Sequence, residues 1–201
     1  ILARERSERL RDLLSDANIA KAQGYLNNPG IGVTREARLA LDAGRVTAMH
    51  DPTEGGLATA LWELAQASGR GVRFDPAAVP VTPLSAQLCA AFAIDPLTAI
   101  ASGALLLTAP APDASRIRAA LAREGIPCTD IGEVVEGPPR VLQSDGSGWQ
   151  PYLLPERDGL AQVFESSPGS KGAKQRPAPS LRGRDQAQSS PTEGDAPDGD
   201  G

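Results

Sequence analysis

An α/β domain with helices packed on one mixed sheet is the fold this sequence predicts, and three observations point to it. β-prone runs alternate with helical patterns from residue 46 onward. The helical stretches repeat apolar side chains at about 3.6 residues, the period of one buried face. Glycines and Asp-Pro steps then punctuate the chain where one pattern gives way to the other.

In chain order, residues 1–15 read as a charged helical segment with Leu2, Leu10, Leu13 and Leu14 as a thin apolar stripe. Asn27-Asn28-Pro29-Gly30 is a turn, 31–33 a short extended piece, and Thr34 the cap of a helix to about residue 43. Residues 46–49 form the first strand. Leu57, Leu61 and Leu64 then fall at i, i+4 and i+7, the core stripe of a helix that ends at Gly69 and Gly71. Residues 72–74 are a strand, 75–83 a proline-rich connection, and 85–92 a helix that stops before Asp95-Pro96. Residues 102–108, led by Gly103, read as a central strand buried on both faces. A helix over 113–123 buries Ile117 and Leu121 and ends at Gly125. Strands at 128–135 and 140–142 and a helix at 155–164 complete the domain.

The sequence has 201 residues and a formal net charge of −5. From 166 to 201 it carries six Gly, five Pro and a single Leu, with five basic residues followed by five acidic ones. That stretch lacks the apolar surface to offset the entropy of ordering, so it reads as a disordered low-complexity tail. All the net charge then lies in the remaining domain, whose mild acidity gives no electrostatic reason for a nucleic-acid or anionic-membrane partner. Two cysteines, Cys89 and Cys128, follow no metal spacing and read as buried thiols of a reducing compartment. With no run of ~20 apolar residues and no signal-peptide pattern, a cytoplasmic protein is expected. The opening Ile suits a stretch taken from a longer chain. The organisation expected is an N-terminal helical segment at 1–28, a domain at 29–165 and the tail at 166–201.

The stretch from Val46 to Leu57 is the centre of the chemistry. Read as a helix start, it has Asp51 as N-cap, Pro52 at the first helical position and Glu54 closing a capping box. Gly55-Gly56 would then lie inside the helix, where each costs about 0.5–1 kcal/mol relative to Ala. Paired glycines serve where something must approach the main chain, either a ligand or a neighbouring segment, and the residues leave both open. In the ligand reading, turn amides and a helix N-terminus gather a phosphate. Asp51 and Glu54 are the alternative holders of Mg²⁺, with capping the simpler role. His50, the only histidine, has no partner visible in sequence and reads as structural or supporting. Gly103 permits close packing or, with Ser102, opens amides toward the same cleft. No Walker motif, dinucleotide fingerprint or zinc motif is present, and no catalytic or metal-ligating residue is assigned.

Together, Pro29-Gly30-Ile31-Gly32-Val33, Ala48 through Leu57 with Trp62-Glu63-Leu64-Ala65, Asp95-Pro96-Leu97, Ala101 through Leu106 and Ile131-Gly132-Glu133-Val134 resemble the C-terminal domain of aminoimidazole ribonucleotide (AIR) synthase-related proteins, the PurM-like superfamily, closest to its hydrogenase maturation (HypE) branch. The resemblance covers roughly residues 29–164, and the superfamily includes enzymes of purine biosynthesis. It implies a two-domain, ATP-dependent, dimeric enzyme whose N-terminal domain holds ATP and Mg²⁺ while the C-terminal domain closes the cleft on phosphate or a small-molecule substrate. By that resemblance Asp51, Thr53, Gly55 and Gly56 face the cleft, with Ser102 and Gly103 beside them. The N-terminal ATP-binding domain has no counterpart in this sequence. Glu54 stands where the hydrogenase branch commonly carries Arg, and the end, Asp200-Gly201, lacks that branch's C-terminal cysteine. The expectation is therefore a half-site completed by an N-terminal domain or second subunit, with ATP and Mg²⁺ bound only in that context. The alternative is a non-catalytic binding or dimerisation module, or a truncated fragment.

Overall fold

Three apolar clusters, each made where a helix stripe meets another element, hold the chain together in a computed structural model that describes residues 1–154 and 159–165. The predicted tail at 166–201 and residues 155–158 of the predicted closing helix lie outside the described residues.

The first cluster is helical. The predicted segment at 1–15 forms two short helices, α1 (Leu2–Glu5) and α2 (Ser7–Leu10), broken at Arg6, where φ is −135°. Leu2 and Leu10 are buried and Leu14 packs against them, whereas Leu13 is 62% exposed and leaves the expected stripe. α3 (Asp16–Gly24) starts at Ser15, whose Oγ accepts the Asn18 N–H at 3.3 Å. These pack with Leu84, Leu88, Cys89, Phe92 and Ile94, which lie in or just after α6 (Pro83–Ala91). Thr82 caps α6 by accepting the Ser85 N–H at 3.1 Å. Leu160 and Val163 of α8 (Gly159–Glu165) complete the cluster. Arg9 stacks over Phe92 with 4.7 Å to the ring centroid, its stem covering apolar surface.

The second cluster joins α4 (Thr34–Ala43) and α7 (Ala111–Arg123) through Ala40, Ile117 and Leu121. Thr34 is the first helical residue and makes no cap bond; Val33 occupies the cap position, and 31–33 do not form a strand. These helices cover one face of a two-stranded antiparallel ribbon, β1 (Ala48–His50) with β3 (Leu106–Thr108). Met49 and its partner Leu107 point to α4 and α7. Leu106, the partner of His50, belongs to the third cluster on the opposite face.

That third cluster lies between α5 (Gly56–Ser68) and a four-stranded mixed sheet. The sheet runs β4 (Gly132–Val135), β2 (Gly71–Phe74), β5 (Arg140–Ser144), β6 (Trp149–Pro151), with β2 and β5 parallel and the other pairs antiparallel. Val72, Phe74 and Val141 point to α5, and Phe74 meets Tyr152 edge to face at 5.2 Å. The mixed α/β class holds, but the strands are divided between this sheet and the ribbon. The run at 102–108 is a correction: only 106–108 form a strand, paired at the ribbon, and they are not buried on both faces. Gly103 at φ +96° and an Ala104 N–H bonded to Ala101 O turn the chain too tightly for an earlier strand start. β6 was not foreseen.

Candidate functional site

The turn between β1 and α5 does not form the capping box its residue types suggest. The helix begins at Gly56, and the cap position belongs to Gly55 in the left-handed region at φ +72°. Asp51 and Glu54 therefore cap nothing, since the start of α5 has no side-chain cap bond, and both are exposed. The reason is tertiary. Asp95 fixes its own turn by accepting the Leu97 N–H at Oδ1 and the Thr98 hydroxyl at its carbonyl, both at 2.9 Å. The resulting main chain is laid against Gly56, where a Cβ would lie 2.3 Å from Ala99 O and 2.7 Å from Leu97 O. With Gly56 itself at φ +60°, only glycine fits.

The close approach at Gly56 is thus made by protein main chain. Two of the amides at the helix start are also closed by protein: Gly56 N–H donates to Thr53 O at 3.0 Å and Ala58 N–H to Leu97 O at 2.9 Å. Among the described residues the Leu57 N–H has no protein acceptor. Gly103 follows the same pattern, since a Cβ there would meet Gly30 O at 2.7 Å. Segment 95–104 thus runs against the Gly55-Gly56 turn at one end and against the Gly30 turn at the other.

The antiparallel register brings the two predicted half-sites together. Because His50 opposes Leu106, residues leaving the end of β1 and residues entering β3 emerge at the same end of the ribbon. Asp51, Thr53 and Glu54 are exposed on one side of that end, and Ser102 and Gly103 on the other; Gly55 is half-buried and Gly56 buried. The result is an exposed rim of two hydroxyls and two carboxylates on a foundation of glycine-to-backbone packing. Hydroxyls and the Leu57 amide can donate to an anion. The carboxylates would repel a bare one, so the rim fits a phosphate better when a divalent cation accompanies it. Among the described residues no group of three His, Cys, Asp or Glu side chains is placed to hold a metal ion.

One partnership was missed in the sequence. His50 Nε2 lies 2.5 Å from Oε2 of Glu63, on the helix that follows the turn. Elsewhere, Asp113 is held below the usual carboxylate range by its hydrogen bond to Arg116 and by the Arg45 N–H, a fastening of α7 to the end of α4. Burial, with Asp95 nearby, raises the Cys89 thiol, which is free, as is Cys128. A shallow groove of about 740 Å³ opens between the N-terminal helices and α6, lined by Leu13, Leu14, Asn18 and Gln87 among others, and none of the predicted site residues borders it. No helix among the described residues is long and apolar enough to cross a membrane.

Comparison with known proteins places these features in context. The family model described as AIR synthase related protein, C-terminal domain, matches residues 5–144. Carbamoyl dehydratase HypE of Cupriavidus necator is 40% identical over 93 residues, which is 45% of this chain and 26% of that protein. Among solved structures, the E. coli hydrogenase maturation protein HypE superposes with a TM-score of 0.59 at 28% identity, over 65% of this chain and 42% of that one. Hydrogenase maturation protein HypE in complex with ATP gives a TM-score of 0.55 at 27% identity, over 62% and 40%. The chain thus spans about a quarter of the curated relative's length.

Proposed function

This chain belongs to the AIR synthase-related family through that C-terminal domain, and from this premise we propose that it is the closing half of an ATP-dependent, HypE-like enzyme. In this reading it works in the cytoplasm, in a homodimeric assembly. It contributes phosphate or substrate contacts to a cleft whose ATP- and Mg²⁺-binding half is an N-terminal domain or second subunit. The substrate is a small molecule; neither nucleic acid nor membrane is a partner. The observation that carries the reading is the ribbon register, which sets Asp51, Thr53 and Ser102 at one exposed end, free of any part in the core.

In this assignment the Thr53 and Ser102 hydroxyls and the Leu57 amide donate to phosphate or substrate oxygen, helped by the positive end of α5. Asp51 faces the accompanying cation. When bound, Mg-ATP would supply an activated phosphoryl group. Gly55, Gly56 and Gly103 hold the rim in place. That HypE has been solved with ATP supports the cofactor assignment.

The test is Mg-ATP turnover by this chain complemented with the N-terminal domain of a HypE relative. Thr53→Ala and Ser102→Ala should each lower turnover about tenfold or more, the loss of one hydrogen bond's worth of stabilisation. Wild-type rates in both variants would remove the rim from the chemistry. The closed Gly56 and Ala58 amides favour a second reading, a non-catalytic module that keeps the turn for packing alone, and that result would select it.

A further inference from the structure

The single histidine has a carboxylate partner that its sequence neighbours did not reveal. His50 ends β1 on the face that carries Leu106, which is the face turned to α5. Its Nε2 meets Glu63 Oε2 at 2.5 Å, thirteen residues along the chain, and the ring is 30% exposed. Nδ1 has no hydrogen-bond partner among the described residues. The contact spans the Asp51–Gly56 turn as a brace, from the strand that enters it to the helix that leaves it. When a carboxylate takes one ring N–H, it fixes the tautomer and orientation of the imidazole and leaves the other nitrogen as a lone-pair acceptor.

We infer that Glu63 is a positioning residue for His50: it accepts the Nε2 proton in a hydrogen bond and leaves Nδ1 to accept from an N–H or O–H donor held beside the Asp51–Gly56 turn. The placing of that donor rests on the cleft reading above; the fixing of the ring does not. An exposed His–Glu ion pair without this role would be dynamic and screened by salt.

The test uses the full chain labelled with ¹⁵N, in which the lone histidine leaves no ambiguity of assignment. With the ring neutral, the expected spectrum shows one slowly exchanging Nε2–H resonance and an Nδ1 shift typical of an unprotonated nitrogen. Glu63→Ala should abolish that resonance while the amide fingerprint of the fold persists. Glu63→Gln, whose amide oxygen still accepts, should restore it. A proton on Nδ1, no Nε2–H resonance in the wild type, its survival in folded Glu63→Ala, or its loss at high salt would each overturn the inference. Turnover in the Thr53 and Ser102 variants reports separately on the cleft, so the two ideas fail by different measurements.

Discussion

Replacing Gly56 by Ala should cost far more than adding a methyl group to a helix start suggests. The residue sits at φ +60°, where a side chain costs roughly 1–2 kcal/mol. Its new Cβ would also press on Ala99 O at 2.3 Å and Leu97 O at 2.7 Å, both main-chain atoms held by the Asp95 turn. Neither can swing aside as a side chain would, so overpacking adds about 1–3 kcal/mol. The sum, about 2–5 kcal/mol, is a large share of the ~5–15 kcal/mol that usually holds a domain. Gly69 provides the control. It has nearly the same φ, +65°, ends α5 in open space with nothing within 4 Å of a Cβ, and so carries only the conformational part. Urea denaturation of wild type, Gly56→Ala and Gly69→Ala, compared at constant m-value, measures both costs. Equal losses in the two variants would refute the claim that main chain is laid against Gly56.

Phe74→Ala should destabilise by about 3–5 kcal/mol, since that ring is fully buried against Tyr152 and α5; a midpoint shift worth less than about 1 kcal/mol would contradict the core assignment. Arg35→Ala should cost less than about 1 kcal/mol, because its pair with Glu124 at 2.6 Å is exposed on both sides, and the same urea midpoint checks it. Asp145 accepts from the Ser147 N–H and hydroxyl and from the Gly148 N–H, which lowers its pKa from 3.8 to about 2. Because the folded value is the lower one, its stabilisation is complete above the unfolded value of 3.8 and is lost as pH falls toward about 2. Asp145→Asn should therefore flatten the stability profile in that window alone, and an unchanged slope there would count against the β5–β6 turn as described.

Helices were the most legible part of the sequence. α6 and α7 fall within about two residues of expectation, and α5 ends where expected though it starts four residues late, because their apolar period and their Gly or Pro stops act locally. Strands were harder. The apolar run at 102–108 is equally compatible with a buried strand and with a turn feeding a short one, and only the Gly103 conformation decides. β6 is three residues long and includes a proline; its one sequence signal was the Asp145-Gly146-Ser147-Gly148 turn before it. The turn at 51–56 obeyed the local capping rules and still folded otherwise, because the contact that governs it comes from Leu97 and Ala99, more than forty residues along the chain. Asp51, Thr53, Ser102 and Gly103 could be singled out from motif resemblance, and their meeting at one ribbon end follows from a register no local pattern encodes. Glu63 carries no local signal beyond its place in a helix motif, since its pairing with His50 is a tertiary contact.

In the proposed enzyme, the exposed end of the β1–β3 ribbon faces a nucleotide- or substrate-filled cleft. The most direct measurement is amide shift mapping of this chain, labelled with ¹⁵N, on adding Mg-ATP together with the N-terminal domain of a HypE relative. The largest nucleotide-dependent changes are expected at residues 51–57 and 102–104. Changes confined to the N-terminal helices or to the four-stranded sheet, or no nucleotide-dependent change at the ribbon end, would contradict that placement.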